Sequence, residues 1–272
     1  MKVAASRPIA MFDSGFGGLT VARALIDLAP NEDLVYFGDT GRYPYGPRPH
    51  DEVRAYAHQI TDWMVERFDP KLVVVACNTA TAVALDELQA RIDIPVIGVV
   101  EPGLKSVLAV TDTDRVGVIG TVGTIGSGAY QRAAAEAAPQ VELTCAACPG
   151  FVEFVERGET ESEQVRVLAH RLLAPVLDAK VDALLLGCTH YPFLARTIGD
   201  VMGRDVVLVS SADETAFAVT DALEASGTAA ATEQPGTHTF VSSGDTETFA
   251  RLGRRLLGPE LDVVHPHRWD DR

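Results

Sequence analysis

Short apolar runs of four to seven residues recur along the chain, and each gives way to a longer stretch whose apolar side chains return at helical spacing. This alternation constrains the fold more than any other feature. A strand covered on both faces reads as a continuous apolar run, and its parallel neighbour is reached only through a long crossover, so the pattern is that of βαβ units around largely parallel sheets. It predicts strands near 9–13, 33–38, 71–76, 95–99, 115–119, 141–145, 181–187, 205–209 and 237–241. Helices are predicted at 17–29, 50–67, 79–91, 103–110, 124–137, 160–177, 192–200, 212–226 and 245–257. The fold class is α/β. Nine strands are many for one sheet, and 272 residues suffice for two domains at about 100–200 residues each.

An internal echo points the same way. Leu72-Val73-Val74-Val75-Ala76-Cys77-Asn78-Thr79 and Ala183-Leu184-Leu185-Leu186-Gly187-Cys188-Thr189-His190 are both apolar strands running into Cys and then Thr. Upstream of each, residues 9–15 and 116–123 are strands running into small and polar residues. Asp13 precedes Cys77 by 64 residues, and Thr121 precedes Cys188 by 67. Two similar domains with mostly parallel sheets are expected to face each other across a cleft. Ligands of open α/β sheets sit beyond the carboxyl ends of strands, so Cys77 and Cys188 are expected on opposite walls.

Lys and Arg number 23 against 38 Asp and Glu, a net charge of −15. Nucleic-acid binding draws on clustered cations, so nucleic acid is not expected as a partner. No apolar stretch approaches the roughly 20 residues of a membrane span. The first eight residues hold no apolar segment ahead of a cleavage site, so the cytosol is the expected address and no membrane partner is expected. In a reducing compartment the four cysteines, 77, 145, 148 and 188, are thiols.

Two of these thiols stand where chemistry is expected. A cysteine after a strand is commonly a small buried hydrophobe. Cys77 and Cys188, however, are followed by hydrogen-bonding residues, and His190 can take a thiol proton or pair with a thiolate. Asp13 opens the Gly-rich turn Asp13-Ser14-Gly15-Phe16-Gly17-Gly18, where a carboxylate can orient or deprotonate a neighbour, or simply cap a helix. The turn's bare N–H groups could meet an anion, but it is neither a dinucleotide fingerprint nor a Walker loop. Two opposed thiols without a cofactor motif suit proton transfer at a stereocentre. One base takes the proton from one face and an acid on the other face returns one. A thiol pKa of about 8.5 lets one partner be thiolate and the other thiol. Cys145 and Cys148 form a lone C-x-x-C without a second ligand pair, so packing is their expected role and no metal is expected. In the turn-rich segment 38–49, Tyr45, Arg42 and Arg48 are candidates for gripping a carboxylate, with salt-bridged arginines on an exposed connection as the alternative. Glu101 and Glu156 read on spacing alone as surface carboxylates.

Together these residues resemble the glutamate racemase family, enzymes that invert free glutamate without a cofactor and supply D-glutamate for bacterial peptidoglycan. The similar blocks, in the family's order, are Phe12-Asp13-Ser14-Gly15-Phe16-Gly17-Gly18-Leu19-Thr20-Val21, Gly38-Asp39-Thr40 with Pro44-Tyr45-Gly46, Ala76-Cys77-Asn78-Thr79-Ala80 and Gly187-Cys188-Thr189-His190-Tyr191-Pro192. Weaker similarity at 95–102, 123–125 and 148–149 extends the resemblance over roughly residues 9–260. It implies Cys77 and Cys188 as the acid/base pair on opposite faces of the substrate, with Asp13 assisting Cys77 and His190 assisting Cys188. Glu156 is implied as a second carboxylate on the Cys188 side, with Glu153 as its rival. Substrate contacts are implied at Asp13, Ser14, Tyr45, Gly46, Asn78, Thr79, Thr121, Thr189 and His190. The implied domains are 1–98 joined to 210–272, and 99–209, with glutamate as substrate and no cofactor. A homodimer and a contact with DNA gyrase, the latter a minor prospect, stay open as partners.

Aspartate racemases share the two cysteines but typically carry Glu after the second Cys-Thr and lack the Asp-Ser-Gly-x-Gly-Gly block, so His190 and Asp13-Ser14 favour glutamate. A thiol redox or zinc protein would instead need Cys145 and Cys148 to dominate reactivity. Gly41 and Tyr43 stand where the family commonly has small or aliphatic residues. The tail His265-Pro266-His267-Arg268-Trp269-Asp270-Asp271-Arg272 has no expected role beyond a mobile end.

Overall fold

The computed structural model describes residues 4–269. Its strands are β1 Ile9–Asp13, β2 Leu34–Gly38, β3 Leu72–Val75, β4 Val96–Gly98, β5 Arg115–Gly120, β6 Glu142–Ala147, β7 Ala183–Gly187, β8 Val207–Val209, β9 His238–Ser242 and β10 Val264–Pro266. The nine expected strands are present with small shifts at their ends, and β10 is an addition. They form two sheets, ordered β10-β9-β2-β1-β3-β4 and β6-β5-β7-β8. Every pairing within them is parallel.

The second sheet repeats the order of the first. Around β1 the neighbours are β2 on one side and β3 then β4 on the other; around β5 they are β6, then β7 and β8. This doubled β2-β1-β3-β4 order is the structural form of the echo in the sequence, with β9 and β10 as an extension on the β2 edge. In such an order the chain leaves the central strand in both directions, and the crevice beyond the carboxyl ends of the two central strands is the place for a ligand.

The helices are α1 Leu19–Leu28, α2 His50–Phe68, α3 Asn78–Arg91, α4 Val100–Leu108, α5 Val122–Gly126, α6 Ala129–Ala137, α7 Phe151–Arg157, α8 Glu163–Leu172, α9 Ala174–Asp178, α10 Ala195–Met202, α11 Ala212–Ser226 and α12 Thr246–Leu257. Two expected helices are each broken in two. The stretch 124–137 is interrupted at Gly128, whose φ of 72° lies in the left-handed region that glycine adopts without steric cost. The stretch 160–177 divides before Pro175, which has no N–H to continue the ladder from α8 into α9. The seven-residue α7, between Gly150 and Gly158 at φ of 92° and 76°, is too short to reveal itself by periodicity.

Covering both sheet faces with helices explains the near-continuous apolar strands. On β1, Ile9 and Met11 point into a core that runs through both halves of the molecule, and Ala10 and Phe12 point into a separate core under α2 and α3. A third core lies between the second sheet and α4 and α6. No helix among the described residues is long and apolar enough to cross a membrane.

The expectation of a mobile tail is corrected over its described part. Val264–Pro266 pairs in register with Phe240, Val241 and Ser242 of β9. The chain then lays the His267 and Trp269 rings against Trp63 and Phe37. Aromatic side chains bury large apolar areas, which a purely polar end could not do. Residues 270–272 lie outside the described residues.

Candidate active site

Each sheet sends its two central strands to one cleft. Asp13 is the last residue of β1, and Cys77 follows β3 as the residue capping the start of α3. Thr121 follows β5 and caps α5, its hydroxyl accepting the Thr124 N–H, and Cys188 follows β7. The four residues thus occupy equivalent places in the repeated order.

Cys77 and Cys188 line one cavity of about 20 Å³. That volume is of the order needed by a water molecule. From the first sheet's loops Ser14, Tyr45, Gly46, Asn78 and Thr79 join Cys77 on its wall, and from the second sheet's loops Thr121, Thr189 and His190 join Cys188. Asp13 and Glu156 stand one layer behind. The buried Asp13 carboxylate accepts from the Gly15 N–H at 2.9 Å and from the Thr189 hydroxyl at 3.4 Å, so it bridges the two walls. Glu156 Oε1 lies 3.1 Å from His190 Nε2, while Glu153 on the same helix is exposed.

Three lining residues were not anticipated: Tyr43, Pro44 and Val152. The signal for Tyr43 was its departure from the small or aliphatic residue usual there. Its ring lies 5.9 Å from the His190 ring, and Phe16, from the same lobe as Tyr43, meets that ring edge-on at 5.0 Å.

The glycines of the β1–α1 turn serve close approach. None of Gly15, Gly17 and Gly18 has a positive φ. A Cβ at Gly17 would fall 2.6 Å from both His190 Nδ1 and Thr189 Oγ1, closer than packed atoms tolerate. The turn is therefore bare so that the other lobe's histidine can reach the cavity, and one of its N–H groups is already taken by Asp13.

The arginines of segment 38–49 take the structural role. Arg42 donates to Asp39 at 2.7 Å and Arg48 pairs with Glu52, and neither lines the cavity. Tyr45 gives its hydroxyl to Asp39, so it presents ring and backbone to the cavity. Cys145 lies on β6, and Cys148 packs in the shared core. Among the described residues no group of three or more His, Cys, Asp and Glu could hold a metal ion.

Burial and neighbouring groups set the charge states of Cys77 and His190. Burial pushes the Cys77 thiol up to about 12; the Asp13 carboxylate adds to the rise, while the Ala80 N–H and the Ser14 hydroxyl oppose it. Burial alone would push His190 down. Hydrogen bonding to Cys188 and to Glu156 outweighs it and raises the ring to about 10, so His190 is an imidazolium at neutral pH. Cys145 and Cys148 are raised by burial to about 11 and about 12, which leaves them protonated and poorly nucleophilic.

Two parallel α/β sheets of one topology, each presenting a thiol to a common cleft, define a class. The family model described as Asp/Glu/Hydantoin racemase matches residues 19–222. The chain is 51% identical over 258 residues to a protein of Acidothermus cellulolyticus named glutamate racemase, covering 94% of this chain and 97% of that one. Among solved structures, a glutamate racemase isoform from Bacillus anthracis superposes with a TM-score of 0.90 at 37% identity, covering 97% of this chain and 98% of that one. A glutamate racemase from Francisella tularensis, solved in complex with D-glutamate, gives 0.90 at 32% identity over 98% of this chain and all of that one. The chain belongs to the Asp/Glu/hydantoin racemase family, on its glutamate racemase branch.

Proposed function

We propose that this chain interconverts L-glutamate and D-glutamate, with Cys77 and Cys188 exchanging protons with opposite faces of the substrate α-carbon. The observation that carries the mechanism is that both thiols open onto one cavity from matched positions of two sheets with the same strand order. In one direction the Cys188–His190 pair removes the α-hydrogen, and the Cys77 thiol, kept protonated by burial, delivers hydrogen to the other face. In the reverse direction the roles exchange. Asp13 serves Cys77 from behind, His190 serves Cys188, and Glu156 holds His190.

The α-hydrogen of an amino acid is far less acidic than a thiol, so fixed dipoles must stabilise the charge that develops. Hydroxyls and amides of Ser14, Asn78, Thr79, Thr121 and Thr189 and the backbone at Tyr45 and Gly46 supply them, holding the two substrate carboxylates without a lysine or arginine on the cavity wall. Asn78 Oδ1 is a buried acceptor without a hydrogen-bond partner while its amide nitrogen donates to Tyr130; it suits the substrate ammonium. No metal or organic cofactor enters this reading.

The product feeds peptidoglycan synthesis, and the protein works in the cytosol on a free amino acid. Its lobes are 1–98 with 210–272, and 99–209, of which residues 1–3 and 270–272 lie outside the described residues. Strand membership supports this division, since β9 and β10 complete the first sheet.

The test is isotope exchange. In deuterated water, without added metal or cofactor, the purified protein should abolish the optical rotation of L-glutamate and exchange its α-hydrogen, with aspartate responding far less. Cys77→Ser and Cys188→Ser should each abolish racemisation, while Cys145→Ser and Cys148→Ser should stay within a few-fold of the unmodified rate. Full activity in Cys77→Ser would refute the two-thiol mechanism.

A further inference from the structure

We propose that Trp269, on the C-terminal strap after β10, is a positioning residue for the active site, acting through Asp39 on Tyr45 and Gly46. Asp39 is a fully buried carboxylate just beyond β2. Such a charge is tolerable only when its oxygens are thoroughly hydrogen-bonded. Its donors come in equal numbers from two places. Arg42 Nε at 2.7 Å and the Tyr45 hydroxyl belong to the loop that forms one cavity wall. Ser243 Oγ at 2.6 Å and Trp269 Nε1 at 3.0 Å belong to the C-terminal part of the chain.

The link continues on both sides of Asp39. The Trp269 ring lies 4.3 Å from the Arg42 guanidinium, which also lies over the Tyr56 ring at 4.0 Å, so the strap fixes Arg42 as well as Asp39. Beyond Tyr45, the Gly46 carbonyl accepts the Gly123 N–H at 2.8 Å, a backbone contact between this loop and the second lobe. Removing the indole N–H leaves Asp39 Oδ1 with the Ser243 hydroxyl as its one remaining side-chain donor, and a turn of the carboxylate to recover a second shifts Oδ2, to which the Tyr45 hydroxyl and Arg42 are bound. A side chain at the far end of the sequence thereby sets the shape of the cavity wall without touching substrate.

Trp269→Phe keeps a six-membered aromatic ring and deletes the donor. Taking glutamate as substrate from the reading above, we expect KM to rise about fivefold with kcat within about twofold, the size of one lost hydrogen bond. A merely structural contribution would combine independently with Tyr45→Phe. Transmission through Asp39 predicts instead that the double variant is no worse than Tyr45→Phe alone. An unchanged KM in Trp269→Phe, or effects that multiply in the double variant, overturns the proposal. Should Trp269→Phe fold poorly, the unmodified protein decides: its Trp269 indole N–H resonance must shift on titration with glutamate and saturate near KM, and an unmoved signal refutes the link. If the unmodified protein racemises a different amino acid, the substrate reading fails, while the same cycle run on that amino acid still judges Trp269.

Discussion

At Cys77 and His190 burial disfavours the charged form of both groups, but only at Cys77 does it prevail. His190 keeps its proton because Cys188 and Glu156 face it, and this has a measurable sign. The folded value of about 10 lies above the ordinary 6.5, so the charged ring contributes stability that is complete below about pH 6.5 and is lost as pH rises through about 10. In Glu156→Gln one of the two hydrogen-bonding supports is weakened to a neutral partner. Thermal unfolding followed against pH should show the variant losing this contribution at lower pH than the unmodified protein, and the alkaline limb of racemisation should move the same way. Superimposable profiles would mean that Glu156 does not hold the proton. The choice between Glu153 and Glu156 was beyond the sequence because it depends on how a seven-residue helix is rotated about its axis. The fold turns Glu156 to His190 and leaves Glu153 in solvent.

Elements long enough to show a period were legible, and their interruptions were not. The 124–137 stretch reads as one helix because its Ala-rich composition favours one, and a single glycine is tolerated within such a pattern. What breaks it is the left-handed backbone at Gly128, which a side chain adopts only at a cost of roughly 1–2 kcal/mol. Gly128→Ala should therefore destabilise the protein by about that amount in chemical denaturation. A neutral or stabilising result would show that α5 and α6 could run on as one helix. The break matters to the site, since it lets the five-residue α5 point its Thr121 end into the cleft. β10 escaped notice for a different reason: three residues containing a proline carry no alternation, and only an existing sheet edge makes them a strand.

For the whole molecule the question is how two similar lobes are brought to one cavity. Their contact is tight across the cleft, where Thr79 reaches Thr121 at 2.9 Å and Thr124 at 3.1 Å and Gly17 lies against His190 and Thr189. Gly17→Ala would drive a wedge into this contact. We expect kcat/KM to fall at least about tenfold, or 1.4 kcal/mol in transition-state binding, while the thermal midpoint drops by only a few degrees. Activity close to that of the unmodified protein would show that the lobes need not approach so closely. The sequence by itself determined the strands, the duplicated order behind the matched spacings of Asp13 to Cys77 and Thr121 to Cys188, and the residue types at each strand end, because these follow from local periodicity and turn chemistry. Tertiary structure alone decided which of Glu153 and Glu156 meets His190, that Arg42 and Arg48 turn away from the cavity, and that the tail buttresses Asp39. Those outcomes depend on how each helix and loop is turned against its neighbours and on which segments meet in space, as Trp269 and Asp39 do across 230 residues, and no local pattern encodes that.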